Sequence, residues 1–308
     1  MTSLPAVAGV SIDQLVGEPP TQLHPVVGFG AVMTRLEQRI YADRRANGVV
    51  MLAGGIALAM GVGIGIRRAI GPTAATMLAT AACAAGKMLD GEAIAIADAL
   101  RGSDLASARE RLRSLVGRTV DDLDNAEISR AVIESVAENS VDAVTASLLW
   151  ASVAGAPGVL AHRAINTLDA MVGHRNTRYE RFGWASARAD DAVNYLPARA
   201  TALAVALANP QQFRTVWRVV RRDAGRHPSP NGGVIEAAYA ASLGVRLGGI
   251  NRYGDLIEDR GALGDGRQPN GDDIVRAVRL RRHSTLALAA LAIAVQRSLR
   301  NVGSHGAT

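Results

Sequence analysis

The chain has 308 residues, of which 48% are hydrophobic, 20% charged and only 4% aromatic, with 32 glycines and a formal net charge of +6. That is too apolar for a disordered chain, and leaner in charge than the about 25% of ordinary soluble domains, which moves it toward the membrane class. The single cysteine, Cys83, excludes a disulfide framework and a thiolate zinc site, and Lys87 is the only lysine among 34 basic residues, an arginine excess that suits anionic lipids or anionic substrates as well as a biased genome.

The first twenty residues lack the basic start and small-residue cleavage site of a secretory signal. Residues 48–66 and 69–86 carry no charge. Each run reaches about 27 Å as a helix, one bilayer crossing. Between them stand only Arg67 and Arg68, with Gly65, Gly71 and Pro72 close by, the punctuation of a tight hairpin over 48–86. Gly61 and Gly65 form a small-xxx-small pair that lets two helices approach. A soluble hydrophobic hairpin is the plainer alternative, and GVGIGI lacks the strand and the Gly-Lys-Ser/Thr of a phosphate loop. Arg35, Arg39, Arg44 and Arg45 before the hairpin place its N-terminal side and the chain after Gly86 in the cytoplasm.

Residues 87–142 read as cytoplasmic helices. A third uncharged run, 143–161, is broken by GAPG at 155–158. Proline and glycine there predict a broken or re-entrant helix, whose fold-back brings the polar residues on its two flanks to one cytoplasm-facing site. Runs 200–213 and 284–296 are too short for assured spans and suit interfacial helices. Residues 223–271, rich in Gly, Pro and Asn, read as ordered loop; Asn270 or Asp272 caps a final helix, and 301–308 is a frayed tail. The expected fold is an all-α, polytopic integral membrane helical bundle, one embedded domain over 1–300.

Four groups of residues carry chemistry. Glu127, Glu134, Glu138 and Asp142 fall within roughly 80° on a helix. Stacked acids repel, so the stripe calls for a cation such as magnesium, or for arginines like Arg130 on a solvated face. The segment 162–199 carries two more groups. One gathers Arg163, Asn166, Asp169, His174, Arg175, Asn176, Arg178 and Tyr179, a donor density that is costly beside an apolar run unless a ligand satisfies it. The other is Arg188, Asp190, Asp191, Asn194 and Arg199, where the paired aspartates suit a metal or an arginine salt bridge equally. The fourth, DAGRHPSPNGG with His227 and Asn231, suits an anion pocket or a simple turn. Hydrolase, zincin and Walker motifs are absent, and scattered basic residues with few aromatics argue against nucleic acid.

The strings GEPPTQLHPVVGFG, AVIESVAENSVDAV, INTLDAMVGHRNTRYERFGWASARADDAVNYLPAR and RRDAGRHPSPNGG, in this order, resemble the adenosylcobinamide-phosphate synthase family, the CobD/CbiB family of cobalamin biosynthesis, over about residues 13–282. Glu18 stands where the family usually has aspartate, Ala143 where glycine is common, and the leading apolar segment is short. The resemblance implies a multi-pass protein of the cell membrane and an ATP- and magnesium-dependent ligase. Such an enzyme joins aminopropanol, or its phosphate, to the free propionate carboxylate of the corrinoid (adenosyl)cobyric acid, giving (adenosyl)cobinamide or its phosphate. Other corrin-pathway enzymes and a second copy of the chain are the expected protein partners.

Under that resemblance Glu134, Glu138, Asp142, Asp169, Asp190 and Asp191 take the metal and nucleotide side, with magnesium expected on Glu138, Asp142, Asp190 and Asp191. Arg163, Arg175, Arg178, Arg188 and Arg199 take phosphates and corrin anions. Asn139, Asn166, Asn176, Tyr179, Asn194, His227 and Asn231 line the substrate, and His174 or a carboxylate takes the amine proton. An intramembrane prenyl- or alcohol-phosphate transferase, a corrinoid transporter and a membrane scaffold are the competing readings.

Overall fold

A computed structural model describes residues 3–19, 24–174, 176–254 and 256–305. In chain order the helices are α1 (Ser3–Val16), α2 (Pro25–Ile40), α3 (Arg45–Ile70), α4 (Pro72–Cys83), α5 (Gly86–Arg101), α6 (Leu105–Leu112) and α7 (Asn125–Asn139). A π-helical stretch, Ser140–Thr145, leads into α8 (Ala146–Val172), then α9 (Trp184–Val193), α10 (Tyr195–Ala208), α11 (Phe213–Asp223) and α12 (Gly232–Leu243). Strands β1 (Leu247–Tyr253) and β2 (Leu256–Leu263) precede the last helix, α13 (Gly271–His305). The chain forms two compact units, 1–87 with 142–194 and 289–308, and 88–141 with 195–288, where the sequence reading expects a single domain.

The first unit is built on α3 and α8. Helix α3 runs 26 residues, about 39 Å, enough to cross an apolar layer of about 30 Å. It buries Gly48, Met51, Gly55, Ala59 and Gly63, seven or eight residues between the glycines, and exposes Val49, Val50, Leu58, Met60, Val62 and Ile64. The buried glycines make close approach possible: a Cβ on Gly63 would lie 2.7 Å from Pro157 Cα, and one on Gly55 2.7 Å from Leu168 Cδ1. The predicted pair, Gly61 and Gly65, has nothing within 4 Å, so the close-packing face is two residues out of phase with the motif. Gly71, at φ +81°, turns the chain into α4. With 12 residues, about 18 Å, α4 is too short for the second crossing the uncharged run suggests, because the helix stops at Cys83.

Helix α8 reverses direction inside itself. Gly155 adopts φ 66°, ψ −152°, a conformation essentially reserved for glycine, and Pro157 follows. Asp142 and Asn166 would be about 36 Å apart on a straight helix, yet Asn166 Nδ2 lies 3.2 Å from Asp142 Oδ2. The two arms therefore fold back on each other, and the tip at Ala156 and Pro157 packs on Gly63 of α3. The run Asn125–Val172 is long and apolar enough for a crossing only by count; its reversal leaves α3 as the one uninterrupted candidate among the described helices. Met33, Met51, Leu168, Val172 and Phe182 fill the core between α2, α3 and α8.

In the second unit α7 and α12 are the central helices. A capping box of Asp124 and Glu127 starts α7, which takes Glu127 out of the predicted acidic stripe. All twelve residues of α12 are buried, and the helix ends at Gly244 in the left-handed conformation. Residues 223–271, predicted as loop, thus hold a core helix and an antiparallel hairpin with a bulge between Gly248 and Ile250, so the fold is not purely helical. Glycines 248, 249, 261 and 264, all at positive φ, serve bulges and turns rather than irregular chain. Asn270 caps α13, its Oδ1 accepting from Asp272 N at 3.0 Å. That helix continues to His305 where a frayed tail is expected, and 306–308 lie outside the described residues.

Candidate functional site

In the first unit, the fold-back of α8 assembles a polar cluster. The π-helical stretch widens the backbone just where Asp142 sits, a distortion common at functional positions. Asn166, on the returning arm, donates from Nδ2 to Asp142 Oδ2 at 3.2 Å and to Asp190 Oδ1 at 3.3 Å. Asn194 donates to Asp190 Oδ2 at 3.1 Å, and its own Oδ1 lies 2.8 Å from buried His162 Nε2. Burial pushes the Asp190 carboxyl above the usual range, against the opposing pull of the Asn194 and Asn166 amides. The charges of Asp190 and Asp191 also act on Asp169, one turn beyond Asn166 on α8. The carboxylates of Asp142 and Asp190, with Asp191 nearby, offer oxygens of the kind a hard dication such as magnesium takes, while the Asn166 and Asn194 amides turn their NH2 groups toward them.

The other residues predicted on this segment divide. Arg163 lines an apolar cleft of about 280 Å³ between α2, α3, α4 and α8 and is its only charged lining residue among the described residues. His174, Asn176, Arg178 and Arg188 are exposed, so the crowd of donors is not buried as the sequence suggests. Asn176 spends its Oδ1 on the backbone of Arg178 and Tyr179, and both of those side chains bind Glu37 Oε1, at 3.1 and 2.8 Å. The Arg178 guanidinium also stacks over Tyr41. Arg175 lies outside the described residues.

In the second unit, Glu134 is fully engaged: Oε1 accepts from Gly248 N at 2.8 Å and Oε2 from Arg118 Nη2 at 2.7 Å, which docks the hairpin on α7. That is a structural task. Asn139 donates back to Ser135 O on its own helix, also a local role. Arg199 stacks on Tyr195 and donates to Asn231 Oδ1 at 3.1 Å, pinning the HPSPN turn. Glu138, His227 and Glu236 converge, with one donor atom of each within 4.8 Å of the others. Arg260 Nη1 stands 3.6 Å from Glu138 and 3.7 Å from Glu236. Burial, with the Glu134 charge added, pushes the Glu236 carboxyl up to about 8, while burial and then Arg260 lower the His227 pKa.

Sequence reasoning misses Glu236, Arg260, Glu37 and His162. Glu236 left a signal, as the only charge in an otherwise apolar helix. Arg260 left none, because it acts from a strand that reads as loop.

The observed class is a two-unit, mainly helical protein with an apolar exposed helix, a folded-back helical hairpin and carboxylate clusters. The profile described as CobD/Cbib protein matches residues 6–281. A cobalamin biosynthesis protein CobD of Mycobacterium tuberculosis is 46% identical, covering 92% of this chain and 93% of its own length. The proteins of the same name from Pelobacter propionicus and Geobacter metallireducens are 40% and 41% identical, covering 94% and 87% of this chain and 94% and 89% of their own lengths. No solved structure matches. The chain belongs to the CobD/CbiB family.

Proposed function

We propose that this protein acts in cobalamin biosynthesis as an ATP-dependent amide ligase, joining aminopropanol or its phosphate to the free propionate carboxylate of (adenosyl)cobyric acid. Family membership over nearly the whole chain supports the pathway. The observation that carries the chemistry is the convergence of Asp142 and Asp190 on Asn166 at the base of the folded-back α8. A carboxylate is a poor acyl donor. Transfer of the nucleotide's terminal phosphoryl group gives an acyl phosphate and ADP, and attack by the amine then forms the amide, releasing phosphate and a proton. Magnesium supplies charge neutralisation at the phosphates.

In this reading Asp142, Asp190 and Asp191 hold the magnesium-nucleotide and Asn166 and Asn194 orient the two carboxylates. Asp169 or the exposed His174 takes the amine proton. Arg163, Arg175 and Arg188 bind phosphate and corrin anions, whereas Arg178, Tyr179 and Asn176 stabilise the loop that carries His174. The exposed apolar face of α3 embeds the first unit in the cell membrane, with the site opening to the cytoplasm.

The test is mass spectrometry of purified protein in detergent with cobyric acid, ATP, magnesium and each amine. The corrinoid mass should rise by one amino alcohol only when ATP is present. Asp142→Asn and Asp190→Asn should each lower turnover by about 10²- to 10⁴-fold with the protein still in the membrane. ATP-independent product, or full turnover in both variants, overturns the assignment.

A further inference from the structure

Glu138, His227 and Glu236 are donors of the kind that ligate metals, and the ligase reading above has no use for them together. Glu138 ends α7, His227 follows the short helical turn Ala224–Arg226, and Glu236 sits in the second turn of α12. Glu236 is 0% exposed and the His227 side chain 1%. Neither Glu236 oxygen nor His227 Nε2 makes a hydrogen bond, although Nε2 and Oε1 face each other at 3.3 Å. Buried polar atoms without a hydrogen bond are costly, and the nearest opposite charge, Arg260 Nη1, stands off at 3.6–3.7 Å, so the three atoms face a space that a small cation would fill.

The surroundings suit a cation. The neighbouring acids are spent elsewhere: Glu134 on Arg118 and Gly248, and Glu258 on Arg260 Nε at 3.1 Å. Arg260 also donates to Tyr253 Oη at 2.7 Å, and its Nη1 is too far from Glu138 and Glu236 to hydrogen-bond either. His227 Nδ1 accepts from Ser229 N at 3.0 Å and lies 3.2 Å from Ser229 O, contacts that hold the ring with Nε2 toward the carboxylates. Gly232 leaves room, since a Cβ there would fall 2.8 Å from His227 Cε1 and 3.2 Å from Glu138 Oε1. A polar cavity of about 120 Å³, lined by Glu138, Arg260, Glu134 and Arg118, adjoins the Glu138 side of the cluster.

We propose that Glu138, His227 and Glu236 form a binding site for a divalent first-row transition ion of the zinc or manganese kind, separate from the magnesium-nucleotide site. An imidazole nitrogen with two carboxylates suits such an ion, whereas magnesium prefers an all-oxygen octahedron. Glu138, whose side chain is 38% exposed, has the room to bring the donors, now within 4.8 Å of one another, to the about 3.4 Å separation that zinc bonds of roughly 2.0–2.2 Å require. The ion ties the end of α7 to α12 and the His227 turn.

The full chain in detergent, stripped with chelator, incubated with Zn²⁺ and desalted, should retain about one zinc per chain by elemental mass spectrometry. Glu236→Gln and His227→Gln should each weaken retention at least tenfold, and Asp190→Asn should not. Zinc should raise the unfolding temperature of the wild type and leave that of the two variants unchanged. Wild-type protein that keeps no zinc, variants that keep as much, or displacement of the zinc by millimolar Mg²⁺ would each overturn the site. Should a variant not fold, electron paramagnetic resonance of Mn²⁺-loaded wild type decides: nitrogen hyperfine coupling supports the site and its absence refutes it. None of these readouts depends on ligase turnover.

Discussion

Asp223 is fully buried and is held by four donors: Arg222 Nε and Nη2 at 2.8 and 2.7 Å, Gly264 N at 3.0 Å and Arg226 Nη1 at 3.1 Å. Arg222 above all holds its carboxyl below the usual aspartate range. A depressed folded pKa means that the unfolded chain takes up the proton first as pH falls. The stability is therefore complete above a pH of about 4 and is lost as pH drops through the lower, folded value. Asp223→Asn should cost about 2 kcal/mol at pH 7, and its unfolding curve should meet that of the wild type in strong acid; a difference constant with pH would refute the pairing. Asp90 poses the harsher case. It bonds Arg281 twice, at 2.7 and 2.6 Å, and Arg281 is 0% exposed. Asp90→Ala leaves that guanidinium buried without its counter-charge and should cost about 3–5 kcal/mol in chemical denaturation. The second pair is not visible in sequence, because Asp90 and Arg281 stand 191 residues apart.

At the scale of elements, the reversal of α8 depends on one backbone conformation. A side chain on Gly155 meets φ 66°, ψ −152° and places Cβ 3.1 Å from Thr76 Oγ1. Gly155→Ala should destabilise the first unit by about 1–3 kcal/mol and lower turnover by loosening Asn166 from Asp142; a variant unchanged in both thermal midpoint and activity would contradict the fold-back. The GAPG string makes the break in α8 legible, since glycine and proline act locally. The phase of α3 is not legible in the same way: Gly55 and Gly63 pack and Gly61 and Gly65 do not, because which face is buried is decided by the neighbouring helix. The hairpin of β1 and β2 is hidden for a similar reason. Its glycines resemble loop punctuation, and the Glu134 contact that makes it a strand pair lies more than a hundred residues earlier.

For the whole molecule, the apolar residues that α3 leaves exposed, Val50 at 58% and Val49 and Val62 at 47%, form the kind of face that contacts a membrane or another protein, and the proposed function takes it as a membrane face. The protein should stay with membranes through an alkaline carbonate wash, and replacing Val50, Leu58 and Val62 with glutamine should release a larger share of it. Recovery of the wild type in the wash would remove the membrane from the proposal.

The sequence by itself determined the family, the helical bulk, the hairpin turn at Gly71 and the break at Gly155. Each is written in contiguous residues, in ordered motifs or in backbone chemistry that acts within one turn. It also nominated Asp142, Asn166, Asp190 and Asn194. Only the tertiary structure decided that these four meet through a helix folded back on itself, that Glu134 serves the hairpin, and that Glu236 and Arg260 stand beside Glu138 and His227. Burial and side-chain partnership depend on which distant segment arrives, and local pattern does not carry that information.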